Sequence, residues 1–90
     1  MTMTIIDFLA RADIDRATLE IWIEEEWVLP RGLMDAPEFS EADLARARLI
    51  QNLIADLGVN AEGVGVALHL IDQVHDLRRV LAEVTSRRGR

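Results

Sequence analysis

Four carboxylates, Glu20, Glu24, Glu25 and Glu26, crowd the stretch Leu19–Pro30, LEIWIEEEWVLP. Paired carboxylates can perform acid–base chemistry when an enclosing pocket splits their pKa values. A ninety-residue chain leaves little room for such a pocket. The other reactive residues are no more promising. His69 and His75 are six apart and fall on different faces of a helix. His69, Asp72 and Asp76 share one face, at i, i+3 and i+7, and we read them as a solvated polar face rather than a metal site. Gly63-Val-Gly65-Val-Ala-Leu68 lacks the third glycine of a dinucleotide fingerprint and follows no strand. The sequence has no cysteine, which removes disulfides, thiolate metal sites and cysteine nucleophiles. We therefore expect no enzyme, no cofactor and no metal. The carboxylates are expected to bind rather than react.

Leu19–Pro30 reads as a helix that buries Leu19, Trp22 and Ile23, shows its glutamates to solvent and stops at Pro30. Glu20 and Glu24 are like charges at i, i+4, a cost of roughly 0.2–0.5 kcal/mol. Glu24, Glu25 and Glu26 sit at the carboxyl end, where the helix macrodipole disfavours anions by roughly 0.3–1 kcal/mol each. Local physics opposes this arrangement. One reading is a solvated face kept for solubility. The reading we prefer is a docking face for a basic protein surface, in which complementary charge speeds encounter and fixes register. Glu20, Glu24 and Glu25 are its candidate contacts. Trp22 reads as core. Trp27, just past the helix end, is expected to be half-exposed and to anchor the interface.

One local pattern positions these residues. An apolar residue precedes a capping residue, and another follows four positions after the cap. The sets are Met3-Thr4-Phe8, Ile14-Asp15-Leu19, Phe39-Ser40-Leu44 and Val59-Asn60-Val64. These are hydrophobic staples around capping side chains, so four helices are expected. Asp7 and Asp43, three past their caps, resemble capping boxes. The expected helices run from Thr4 to Arg11 (Ile5, Phe8 and Leu9 inward), Asp15 to Glu26, Ser40 to Leu57, and Asn60 to about Thr85. The third carries Ala42, Ala45, Leu49, Ile50, Leu53, Ile54 and Leu57 at helical spacing, with Gly58 as its C′ residue. The first two are close enough for a helix-turn-helix, residues 4–26. Residues 28–39, with Pro30, Gly32 and Pro37, read as a small wing, with a hairpin between Val28–Leu29 and Glu38–Phe39.

In the fourth helix Ala67, Leu70, Val74, Leu77, Leu81 and Val84 form a heptad seam. Gly63 and Gly65 weaken its first turns. The seam to Leu70 is expected to pack within the chain. Val74, Leu77, Leu81 and Val84 are expected to meet a partner helix, most simply from a second copy. The tail Ser86–Arg90 is expected to fray. All-α and single-domain over residues 1–90 is therefore the expected class.

The net charge is −6, unevenly spread. By thirds the chain carries −5, −2 and +1. An acidic front half repels phosphate backbones and attracts basic partners. No apolar run approaches ~20 residues, so no membrane span is expected. MTMTIIDFLA lacks the basic start of a secretory signal, and a cytoplasmic location is expected.

The order of parts resembles a known arrangement. Helix-turn-helix with Leu19-x-x-Trp22, then Trp27-Val-Leu-x-Pro30, a wing, Phe39-Ser-Glu-x-Asp-Leu44 and a long helix ending near Leu57-Gly58 is similar to the MerR-type winged helix. The resemblance covers roughly residues 4–80. The run Leu57-Gly58-Val-Asn-x-x-Gly63-Val-x-Val-Ala-Leu-x-Leu70-Ile-Asp72-x-Val-x-x-Leu77 looks like the chaperone-modulator family typified by CbpM. That resemblance implies binding to the J domain of a CbpA/DnaJ-like co-chaperone and inhibition of its work with the chaperone. J domains carry a basic second helix, which an acidic helix could cover. DNA-binding members of the wider group carry arginine near the position of Glu20 and a basic wing, and here only Arg31 stands near the wing. The alternative is a MerR-type DNA-binding transcription regulator, a dimer with Arg46, Arg48 or Arg31 on phosphates.

Overall fold

The computed structural model describes residues 1–88. Its elements are β1 (Thr2–Thr4), α1 (Ile5–Ala12), α2 (Arg16–Glu24), β2 (Arg31–Leu33), β3 (Ala36–Ser40), α3 (Glu41–Gln51) and α4 (Ala61–Arg88), with a π-helical stretch, Asn52–Asp56, continuing α3. This is the expected mainly helical, winged helix-turn-helix class. Two compact units result, Met1–Asn60 and Ala61–Arg90.

The helix starts follow the capping chemistry. Thr4 is extended and its side chain accepts from the Asp7 N–H. The Asp15 carboxylate accepts from the Thr18 N–H at 2.8 Å. At Ser40 the reciprocal box is complete: the Asp43 N–H donates to Ser40 Oγ at 3.1 Å, and the Ser40 N–H to Asp43 Oδ2 at 2.8 Å. Asn60 directly precedes α4. Asp13 ends α1 in the left-handed region, φ 57°, where a short polar side chain is tolerated. That leaves three residues, Asp13–Asp15, between α1 and α2.

The staples also build the core. Thr2, Met3 and Thr4 of β1 pair antiparallel with Ser40, Phe39 and Glu38 of β3, so the staple residues of α1 and α3 meet across the sheet. Phe8 stacks on Phe39 with ring centroids 4.3 Å apart and 17° between planes. Phe8, Leu19, Phe39, Ala47 and Ile50 are fully buried, with Met3, Ala12, Trp22, Val28 and Leu44 nearly so. Each large side chain of this group contributes roughly 1.5–3 kcal/mol by leaving water.

Several expectations need correction. β1 was not expected; its three residues are too few to show alternation, and its partner lies far along the chain. The wing hairpin joins Arg31–Leu33 to Ala36–Glu38, not Val28–Leu29 to Glu38–Phe39. Val28 is drawn into the core and Phe39 pairs with β1 instead. Helix α2 ends at Glu24 rather than Glu26. The buried face of α3 is Leu44, Ala47 and Ile50, while Ala42 and Ala45 are exposed; alanine buries too little area to set the phase of a helix. Past Gln51 the helix widens, the Leu57 N–H reaching Asn52 O at 3.2 Å. An i→i+5 turn shifts the side-chain phase, so Ile54 and Leu57 face outward where α-spacing predicted burial. Gly58, φ 65°, follows as the expected left-handed C′ residue.

Helix α4 is 28 residues long and continues past Thr85 to Arg88. Of the expected frayed tail, Gly89 and Arg90 lie outside the described residues. Its buried positions are Val64 and Leu68. Leu70, expected inside, is exposed, as are Val74, Leu77, Leu81 and Val84. No helix of the described residues is long and apolar enough to cross a membrane.

Candidate functional site: an acidic helix beside an apolar groove

Helix α2 owes its orientation to two buried anchors, Leu19 and Trp22. Turning these inward turns Glu20, Ile21, Glu24 and Glu25 out. Neither the Arg11–Glu41 nor the Arg79–Asp76 ion pair involves Glu20, Glu24, Glu25 or Glu26. Arg46 of α3 reaches the carboxyl end of α2, where its Nε donates to the Trp27 carbonyl oxygen. It counters the negative end of the helix dipole, since α2 has no base in its own last turn.

The helix ends in a Schellman motif. The Trp27 N–H bonds Trp22 O at 2.9 Å and the Glu26 N–H bonds Ile23 O at 3.0 Å, while Glu26 takes φ 63°. In this motif the residue after the left-handed position packs back on the helix. Trp27 is accordingly buried, with 7 % of its surface exposed. The expected half-exposed anchor is therefore absent: Trp27 is core, and it holds the acidic turn in place. Ile23, also expected buried, is only partly covered.

An apolar side chain does stand among the carboxylates, at Ile21, 56 % exposed. Its helical neighbours at i+3 and i+4 are Glu24 and Glu25. Sequence reasoning missed it, although its place between acids was visible.

A groove of about 420 Å³ opens between α2 and the wing. Ile5, Ile23, Pro30, Leu33, Met34 and Pro37 form its apolar lining, and Arg16, Glu20, Arg31 and Asp35 its charged edge. Leu33 and Met34 are 73 % and 101 % exposed. Two large apolar residues at a hairpin tip were the available signal for this feature. Of the arginines considered for phosphate binding, Arg31 and Arg48 are exposed and Arg46 is half-buried. His69 lies 3.3 Å from Gln73, one turn along α4.

The family model for MerR HTH family regulatory protein matches residues 3–85. The chain belongs to the MerR helix-turn-helix family of regulatory proteins. The match spans the helix-turn-helix, the wing and nearly all of α4. No curated protein matches this MerR-family chain. In this chain α2 and the wing line one groove, and Glu20, Glu24 and Glu25 are exposed on α2.

Proposed function

We propose that this MerR-family chain is a protein-binding modulator rather than a DNA reader or an enzyme. It docks the acidic face of α2 on the basic helix of a J domain of a CbpA/DnaJ-like co-chaperone and inhibits that co-chaperone. One observation carries the reading: Glu20, Glu24 and Glu25 are exposed, and in neither the Arg11–Glu41 nor the Arg79–Asp76 ion pair, on the helix that would otherwise face phosphates. Bringing that face onto a phosphate backbone would cost energy instead of releasing counterions. The C-terminal resemblance to the chaperone-modulator family supplies the partner class. A cytoplasmic setting is part of the same proposal.

Titration of the chain with an isolated J domain, at low and at high salt, tests this. Binding should weaken as salt rises. Reversing Glu20 and Glu24 to arginine should lower the low-salt affinity roughly ten-fold, by about 0.7 kcal/mol per exposed charge pair. Salt-independent binding, or none, refutes electrostatic docking. Tight, sequence-dependent retardation of DNA in a gel would favour the transcription-regulator alternative.

Self-association through α4 belongs to the proposal. Val74, Leu77, Leu81 and Val84 are between 44 % and 69 % exposed and repeat at heptad spacing. Changing Leu77 and Leu81 to glutamate should convert a dimer into a monomer on sizing; a wild-type monomer removes the idea.

A further inference from the structure

We propose that the groove between α2 and the wing seats the apolar side of an amphipathic, cationic helix from the partner, about two turns long. This rests on the reading of α2 as a protein-docking face and names the binding mode. Three observations support it.

The first is the joint character of the walls. The groove is lined by Ile23, Leu33 and Met34, and Glu20 and Asp35 stand on opposite sides of it. Glu24 continues the α2 wall one turn further. An apolar stripe flanked by acids is the complement of a helix with an apolar stripe flanked by bases. Arg16 and Arg31 also reach the groove, but Arg31 lies opposite Glu38 in the hairpin register, and Arg16 is the i−4 neighbour of Glu20. With Glu24 and Glu38 added to Glu20 and Asp35, four acids stand around the groove against these two bases, so its surround is net acidic.

The second is the poor quality of the wing edge as a strand template. β2 is the edge of the sheet, whose order is β1-β3-β2. Strand addition there would need a regular row of free backbone groups. β2 has three residues, directly follows Pro30, and holds Gly32 at φ 85°. A Cβ at Gly32 would come within 3.1 Å of Ala36 O, so the irregular backbone is built in. An extended peptide gains little here. A helix satisfies its own backbone and needs only side-chain contacts.

The third is size. From Arg16 to Ile23 the α2 wall runs about 10 Å, at 1.5 Å per residue. That matches two turns, presenting anchors at i, i+3 or i+4, and i+7. Met34 at the wing tip is flexible and polarizable, suited to closing over such anchors.

The experiment uses the whole chain, 15N-labelled, with two probes: a J domain, and a synthetic 15-residue helix of leucine, alanine and lysine with its leucines on one face. An otherwise identical peptide with glutamate for lysine is the control. The expected result is that the lysine peptide shifts the amides of Ile23, Leu33 and Met34 and the glutamate peptide does not. Leu33→Ser with Met34→Ser should weaken the lysine peptide and the J domain roughly ten-fold at both low and high salt. Both residues are exposed, so folding is preserved and is checked by the amide spectrum. If the J domain fails to bind but the lysine peptide fills the groove, the partner assignment falls and the groove inference stands. If the J domain binds in a Glu20- and Glu24-dependent way while Leu33→Ser/Met34→Ser changes nothing, the inference falls and the docking face stands. Groove shifts that grow with the protein's own concentration mean a second copy fills it, and overturn the inference. Equal binding of the two peptides overturns it as well.

Discussion

Replacing Glu26 by glycine should make this protein more stable. Glu26 sits at the left-handed position of the turn that ends α2, with φ 63°. For a residue with a Cβ that conformation costs roughly 1–2 kcal/mol. Glycine removes the cost but brings a more flexible unfolded chain, which takes back roughly 0.4–1 kcal/mol. Removing a carboxylate from the negative end of a helix adds roughly 0.3 kcal/mol or more. The net expectation is a gain of about 1 kcal/mol, or roughly 4–8 °C in Tm for a domain of this size. Glu26→Ala is the control: it removes the charge but keeps the Cβ, so its gain should be a small part of the glycine variant's. Urea and thermal unfolding followed by tryptophan fluorescence suit the measurement, because Trp22 and Trp27 flank the turn and both are buried. Equal stability of the glycine and alanine variants would refute the backbone argument, and a less stable glycine variant would refute the accounting altogether. Affinity for a J domain should be nearly unchanged, since Glu26 is outside the proposed contact set.

Three further outcomes follow from the same geometry. Ser40→Ala removes half of a complete capping box and should cost about 1 kcal/mol in urea unfolding; a neutral result would mean the α3 start is held by the sheet alone. Trp27→Ala should cost roughly 3–5 kcal/mol as a buried aromatic, whereas a cost under about 1 kcal/mol would return it to the surface role first expected of it. Hydrogen bonding to Thr18, from its side chain first and its backbone next, lowers the Asp15 pKa below 3.8. A carboxylate depressed on folding stabilises above its unfolded pKa and loses that contribution as pH falls through the folded value. The stability difference between the parent and Asp15→Asn should therefore be constant above about pH 5 and shrink below pH 3.8; a difference unchanged at pH 2.5 would refute it.

Local chemistry was legible in the sequence because it acts over four or five residues. The staples at Met3–Phe8, Ile14–Leu19 and Phe39–Leu44 place the first three helix starts, and Asn60 stands where the fourth begins. Ser40 and Asp43 announce their box, and Gly58 its left-handed turn. The exposure of Glu20, Glu24 and Glu25 follows from burying Leu19 and Trp22 on the other side of one short helix. What required the tertiary structure is whatever depends on distant partners or on backbone irregularity. β1 exists because Phe39 and its neighbours offer Thr2–Thr4 a strand to pair with. Trp27 is buried because Glu26 accepts a left-handed φ that only the fold can enforce. The π-helical widening after Gln51 turns Ile54 and Leu57 outward against their spacing. The groove exists because the hairpin pairs Arg31–Leu33 with Ala36–Glu38, closer to its tip than predicted, and stands beside α2. Side-chain pattern decides which residues seek the core; the closing of the chain on itself decides which of them reach it.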